Sequence, residues 1–522
     1  MIAGLDVSRR VFRGTSRVLG GCRLSSINAA AVTEITASNV DDRKPEVYAG
    51  IEQFTREQQL LCRRKNPAFA LPHNLQHLIR DVFLPDKNRR DRLLEGAKVL
   101  KNQLWSRRPP VEKKELKEKV MEIIEHNFGD ELKNLSREER KMAIPQVKEV
   151  IIKDMRHHIY HWRPINYDAF GSYCYLLGRT PMEYAVLRKV FKEIKILDPK
   201  IEPRSCFDFG SGLGSVWWAL KEQFPHSFKE YFSVEPSKHM RDFARYLAQG
   251  GPSGKQLPLN EYSQRAKLGA DCSLTYDIVV SAFSLMELPN ARERREAIEL
   301  LWAKTKRHLV VIENGTSAGY KMVVEARAHV LELSKIFSVN NPQGAVFKGH
   351  VLAPCTHSFR CNRMHCELAP KPCSFEVRYM DLLDSNHKSH TSLYSYVVMT
   401  KVNPEALFEG PPCARIISPV LPRTKCVICR ICTSKGEIKE QIFTKNKHGG
   451  QVYKTARSSN WGDLFLFENV PSASRGYSNA SATLAQMTKL EEKKEQKITT
   501  EKKEEADHSD NYDFEETLKE AK

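Results

Sequence analysis

The spacing of apolar positions changes character twice along the chain. From about Glu46 to Pro203, helix-forming residues dominate, in blocks such as Glu112–Asn127 and Pro181–Leu197. Pro109, Pro110, Pro145, Pro164 and Pro181 punctuate this stretch. Proline lacks a backbone donor and clashes with the preceding turn, so several helices are predicted rather than one rod. Short apolar runs then alternate with helical stretches. Strands are predicted at Cys206–Phe209, Tyr231–Val234, Ile278–Ala282 and Leu309–Ile312, with helices at Val216–Phe224, Lys238–Ala248 and Arg292–Thr305 between them. That rhythm implies a parallel sheet covered on both faces, with a ligand site beyond the carboxyl ends of its strands. From Asn341 onward Pro, Cys and β-branched residues take over. Strands are predicted near Phe375–Arg378, Leu393–Val402, Arg415–Val420, Glu437–Thr444 and Gln451–Thr455. After Pro471 the chain is Ser-rich and then a Lys/Glu mixture, too poor in apolar residues to offset the entropy of ordering.

The expected organisation is α/β: a helical region (46–203), a Rossmann-like domain (204–340), a small β-rich module (341–470) and a disordered charged tail (471–522). A chain of 522 residues exceeds what one core usually organises. No stretch approaches the ~18 uninterrupted apolar residues of a spanning helix. The formal charge is +18, and the tail from Lys489 to Lys522 holds 8 Lys against 12 Asp or Glu, so the remainder is more basic still. Such an excess favours a polyanionic partner, above all nucleic acid, where each Lys or Arg on a phosphate releases condensed counterions. Residues 1–33 carry Arg9, Arg10, Arg13, Arg17 and Arg23 against the single acid Asp6, and lack a continuous apolar core. They read as a mitochondrial transit peptide.

The run Cys206-Phe-Asp-Phe-Gly210-Ser-Gly212-Leu-Gly214 ends a predicted strand and opens a helix. Glycines at alternate positions permit a tight turn and let a ligand approach the backbone. A dinucleotide fingerprint would need glycine where Ser215 stands. With Asp208, the pattern instead resembles the first motif of class I S-adenosylmethionine-dependent methyltransferases, whose loop wraps the amino-acid end of the cofactor. Glu235 follows the loop by about twenty residues, a spacing suited to accepting hydrogen bonds from both ribose hydroxyls. The tip of the fourth strand, Ser281-Ala-Phe283-Ser-Leu285, holds neither a Pro-Pro-aromatic clamp nor a cysteine. Glu287 and Glu313 are the nearest acids and suit either a general base or a cap. Binding is therefore better supported than turnover, and no catalytic residue is assigned.

Of 13 cysteines, eight lie between Cys355 and Cys432. In a reducing matrix that clustering points to metal rather than to disulfides. Thiolates favour zinc or iron-sulfur clusters, and neighbouring Lys and Arg lower the cost of gathering their charge. Spacing alone leaves zinc and iron-sulfur open.

Together these stretches resemble the mitochondrial methyltransferase-like protein seventeen family and its yeast small-subunit relatives. The likeness runs through Phe207-Asp-Phe-Gly-Ser-Gly-Leu-Gly214, Tyr276-Asp-Ile-Val-Val-Ser-Ala-Phe-Ser-Leu285, Val311-Ile-Glu-Asn-Gly-Thr316, Ala353-Pro-Cys355, the Cys429/Cys432 region and Trp461-Gly-Asp463. It implies a mitochondrial matrix protein, a monomer away from the ribosome and without a membrane span. Such a protein binds the maturing small ribosomal subunit through its rRNA and ribosomal proteins and is required for mitochondrial translation. It further implies a methyltransferase fold without clear activity and a [4Fe-4S] cluster on Cys355, Cys361, Cys373 and Cys432. The cofactor loop, carried over to Asp208, Gly210, Gly212 and Gly214, would take S-adenosyl-L-methionine. The Cys361–Cys373 interval is longer than the family's and contains Cys366, which competes as a ligand, as Cys429 competes with Cys432.

Overall fold

The computed structural model describes residues 62–134, 151, 162–340, 349–365, 372–382, 388–404, 407 and 412–467, apart from residues 65, 84–86, 253, 255–256, 259 and 268–273. The predicted transit segment, the charged tail and Cys366 lie outside the described residues.

Nine strands form the large sheet: β1 (Ala68–Phe69), β2 (Ser205–Phe209), β3 (Glu230–Val234), β4 (Tyr262–Arg265), β5 (Tyr276–Ala282), β6 (Thr305–Asn314), β7 (His350–Ala353), β8 (Phe375–Met380) and β9 (Ser389–Thr400). Their order is β1-β8-β9-β6-β5-β2-β3-β4, with β7 also on β9. Strands β2 to β6 are parallel, and β9 runs antiparallel to both β6 and β8. Counted from Ser205 without the short β7, the order is third, second, first, fourth, fifth, seventh, sixth, with the seventh reversed. That is the arrangement of the class I methyltransferase fold.

Successive residues alternate between two cores because strand side chains alternate in direction. Cys206, Ile278, Val280, Val310, Ile312 and Val398 enter one, while Phe207, Val279, Leu309, Val311, Val397 and Met399 enter the other. The helices of this body are α1 (His73–Phe83), α2 (Lys87–Ser106), α4 (Ala169–Gly178), α5 (Thr180–Leu197), α6 (Ser215–Gln223), α7 (Lys238–Gln249), α8 (Ala291–Lys304) and α9 (Ser317–Asn340). Helix α3 (Lys113–Asn134) belongs to a separate unit and buries Leu116, Val120 and Ile123 at helical spacing. No helix among the described residues is long and apolar enough to cross a membrane.

The second sheet has five strands, β10 (Ala414–Ile416), β11 (Leu421–Pro422), β12 (Cys426–Cys432), β13 (Ile438–Thr444) and β14 (Leu464–Phe465). Its own core includes Ile416, Val427, Cys429, Ile431, Phe443 and Phe465. Two findings differ from the sequence reading. Strands β8 and β9 extend the large sheet instead of joining this module. The strand predicted at Gln451–Thr455 is part of helix α10 (Lys445–Ser458), kinked at Gly449. Thr444 caps that helix by accepting from the Lys447 amide, and His448, Val452 and Ala456 are buried at intervals of four. A five-residue window was too short to show that period.

Candidate functional site

The glycine loop leaves β2 and turns into α6 with all three glycines in the left-handed region, at φ 72°, 51° and 78° for Gly210, Gly212 and Gly214. A Cβ on Gly210 would lie 2.5 Å from that of Ser284, so the tip of β5 also demands glycine there. Glu235 ends β3 with both oxygens engaged: one accepts the Gly212 amide at 3.0 Å and the other the Ser237 amide at 2.9 Å. Asp208 is buried and accepts from the Tyr231 hydroxyl at 2.6 Å. Burial, opposed by that hydrogen bond, pushes its carboxyl up to about 7. Its second oxygen and the Ser211 hydroxyl are buried without a hydrogen-bond partner. A loop with open backbone and two orphaned polar atoms fits the amino-acid end of S-adenosylmethionine. A ribose would have to share Glu235 with the amides that hold it.

The fourth-strand tip is closed by the protein's own groups. Phe283 adopts φ 57°, and the Arg179 guanidinium sits 4.5 Å from its ring centroid. Arg179 also donates to Glu183 (2.9 Å) and Asn314 (2.7 Å), and Tyr175 donates to the same Glu183. Glu313 accepts the Leu285 and Met286 amides, a cap. Burial pushes its carboxyl up to about 8 against the pull of Arg179. Glu287 pairs with Arg107 at 2.8 Å.

The second candidate gathers Cys355 and Cys361, on the loop after β7, Cys373, just before β8, and Cys432, at the end of β12. Cys361 acts electrostatically on Cys355, both of these act on Cys373, and all three act on Cys432. Although each residue is only partly buried, desolvation raises the thiols of Cys355, Cys373 and Cys432 above their usual range, and the neighbouring cysteines add to the rise. Arg327 opposes this at Cys355 and Cys432, Arg363 at Cys373, and Arg415 at Cys355 and Cys373. The Tyr320 hydroxyl lies 3.1 Å from the Cys361 sulfur, and His357 Nε2 lies 3.4 Å from that of Cys432. Among the described residues no three His, Cys, Asp or Glu side chains close tightly enough for a single metal ion. A tetrahedral zinc would need its sulfurs about 3.8 Å apart, given Zn–S bonds of about 2.3 Å. A polynuclear cluster is wider, and thiolates are the soft donors that bind one.

Strand parity separates two cysteines that spacing left in competition. Cys429 and Cys432 are three residues apart on β12 and so point to opposite faces. Cys429 enters the module core, where burial raises its thiol to about 12.

A buried charge network secures the thiol region. Arg415 on β10 pairs with Glu193 of α5 at 2.7 Å and donates to the carbonyl of Pro354, next to Cys355, and to that of Gly462. Arg64 reaches Glu193 at 3.4 Å, and its amide donates to Asp463 at 2.6 Å, while the Tyr396 hydroxyl donates to the second Glu193 oxygen. Against burial, which raises it, Arg415 and Arg64 hold the Glu193 carboxyl down at about 2. Sequence reasoning missed Glu193, Arg415, Arg327, Tyr320 and His357. The one local signal was an arginine inside the apolar run Ala414–Ile417.

The chain matches the family described as "Mitochondrial small ribosomal subunit Rsm22" over residues 169–466. It is 34% identical over 369 residues to "Ribosome assembly protein METTL17, mitochondrial" of Homo sapiens, covering 70% of this chain and 77% of that one. "Rsm22-cox11 tandem protein 2, mitochondrial" of Schizosaccharomyces pombe is 28% identical over 335 residues, covering 56% of this chain and 43% of the relative. Among solved structures, the precorrin-6y C5,15-methyltransferase of Geobacter metallireducens aligns at a TM-score of 0.24 and 12% identity, covering 42% of this chain and 85% of that one. The fold assignment rests on the strand order, not on that score.

Proposed function

This chain belongs to the Rsm22 family of mitochondrial small ribosomal subunit proteins, and from that premise we propose that it is an assembly factor for that subunit, acting in the mitochondrial matrix. Its basic body binds the maturing particle and its rRNA. Cys355, Cys361, Cys373 and Cys432 hold a [4Fe-4S] cluster, and the methyltransferase-like domain binds rather than catalyses. The observation that carries this reading is the convergence of four mutually interacting thiols from three chain segments, beside the Arg415–Glu193 pair. A bound cluster supplies iron–thiolate cross-links between these segments. Arg327, Arg363 and Arg415 offset the thiolate charge, and Arg415 fixes the Cys355 loop through the Pro354 carbonyl. S-adenosylmethionine, when bound at Gly210, Gly212, Gly214 and Glu235, supplies an electrophilic methyl group. The chain's own residues at the β5 tip orient one another and leave no side chain to hold an acceptor.

The test is Cys355→Ser, with iron and sulfide content and co-sedimentation with small subunits as readouts. Loss of iron together with loss of the subunit is expected. Unaltered co-sedimentation would overturn the reading, as would metal-free protein that still folds and binds. Absorption near 400 nm, about where thiolate-to-iron transitions fall, separates a cluster from zinc.

A second reading, an active rRNA methyltransferase, is favoured by the open glycine cradle with its orphaned Asp208 oxygen and Ser211 hydroxyl. Mass-spectrometric mapping of small-subunit rRNA in cells carrying Gly210→Arg decides between the two. Persistence of every methyl mark with folded variant excludes turnover.

A further inference from the structure

We propose that the Cys355–Met364 loop presents Phe359 as a stacking platform for an unpaired base of single-stranded RNA; this rests on the rRNA-binding reading above and names the surface that would carry it. Phe359 is 62% exposed. Its backbone is nevertheless pinned. Arg327, itself buried, donates through Nη2 to the Phe359 carbonyl at 2.7 Å and to the His357 carbonyl at 3.0 Å. The Phe359 ring lies 5.9 Å from the His357 imidazole with 22° between the planes. His357 is buried against Gly436, where an added Cβ would stand 3.2 Å from the ring. Asn362 donates to the Gly436 carbonyl at 2.9 Å, joining the loop to the β12–β13 turn. One side of the phenyl ring is thus supported and the rest left open, in a fixed orientation.

The surroundings select the partner. From Pro354 to His365 the loop carries no acid and two arginines, of which Arg363 is buried on the side of the thiols. Arg360 is exposed, as is Lys435 in the turn that Asn362 engages. The acid of that turn, Glu437, is paired with Lys439. Met364 is the only other exposed large apolar side chain of the loop. An isolated, rigid ring among cations is the arrangement that stacks bases while neighbouring charges hold phosphates. A protein partner would call for a broader apolar patch. His357 and Arg327 touch both the platform and the thiol site, so metal loss is expected to release the ring as well.

The experiment uses the full chain, a fluorescein-labelled single-stranded RNA 12-mer and its duplex counterpart, with anisotropy as readout. Phe359→Ala and Phe359→Leu are expected to bind the single strand roughly 10-fold more weakly, the scale of one lost base stack. Iron content and the salt dependence set by phosphate contacts should stay unchanged. Phe359→Trp should keep wild-type affinity and show fluorescence quenched by the oligonucleotide. Wild-type affinity in Phe359→Ala, or tryptophan emission unaffected by RNA, would overturn the platform. So would unchanged RNA affinity with weakened co-sedimentation, which assigns the ring to a ribosomal protein. Failure of the wild-type chain to bind either RNA would sink the rRNA reading itself, and the platform with it.

Discussion

The glycine-loop region and the thiol region are both built from buried ionisable groups, and they solve the problem of burial in opposite ways. Around the loop every acid has found a partner inside the protein: Glu235 with the Gly212 and Ser237 amides, Glu313 with those of Leu285 and Met286, Glu287 with Arg107, Asp208 with Tyr231. Around the thiols, Arg327, Arg363 and Arg415 oppose the rise that burial and neighbouring cysteines impose on Cys355, Cys373 and Cys432. The first region is largely paired within the protein, with one Asp208 oxygen and the Ser211 hydroxyl left over. The second gathers thiols whose desolvation raises them above their usual range.

The largest test of that contrast is Cys373→Ser, expected to abolish iron binding and to open the β10–β14 module to limited proteolysis, since metal binding and folding are coupled in such modules. Protection equal to wild type would remove the distinction between the regions. Next, Glu193→Gln leaves buried Arg415 and Arg64 without their counter-charge, and urea denaturation should show a loss of about 3–5 kcal/mol. Glu235→Gln keeps one acceptor oxygen for the two amides, so the same measurement without ligand should show about 1–3 kcal/mol. Equal effects at both sites would mean that the two burial strategies do not differ energetically.

Acidity acts with opposite sign on Glu193 and on the two buried acids Asp208 and Glu313. Asp208 rises from 3.8 to about 7 and Glu313 from 4.5 to about 8, so the fold favours their protonated forms. Their contribution is complete below about pH 4 and is lost as pH rises toward 7 and 8. Glu193 falls from 4.5 to about 2, so its contribution is present above pH 4.5 and is lost as pH falls toward 2. Asp208→Asn, which mimics the protonated carboxyl, should gain stability relative to wild type between pH 4 and 7, on the order of a few kcal/mol. Melting curves across that range check it, and a difference independent of pH would contradict the assignment. The smallest effect is expected from Tyr320→Phe. Losing a hydroxyl beside the Cys361 sulfur should cost about 1 kcal/mol and speed iron loss to a mild chelator, followed by visible absorbance.

Local chemistry was legible throughout the Rossmann core. Short apolar runs at Cys206–Phe209 and Leu309–Ile312 reported strands of a sheet covered on both faces, and the glycines at 210, 212 and 214 reported a tight turn, which the structure places in the left-handed region. The same reading placed Glu235 at a strand end but could not show that Gly212 already occupied it. It also could not tell Cys429 from Cys432, because their separation has meaning only once β12 is known to be a strand and its faces diverge.

What the sequence determined by itself was therefore every feature written in a short period: the strand–helix rhythm, the cradle, the basic excess and the crowding of cysteines. The tertiary structure alone decided that β8 and β9 complete the large sheet, that Arg415 meets Glu193 more than two hundred residues away, and that Cys355, Cys361 and Cys373 come near enough to act on Cys432. The reason is physical. Backbone geometry imposes periodicity on neighbours, whereas pairing of buried charges and donors depends on which distant surfaces are desolvated together, and that leaves no mark on local spacing.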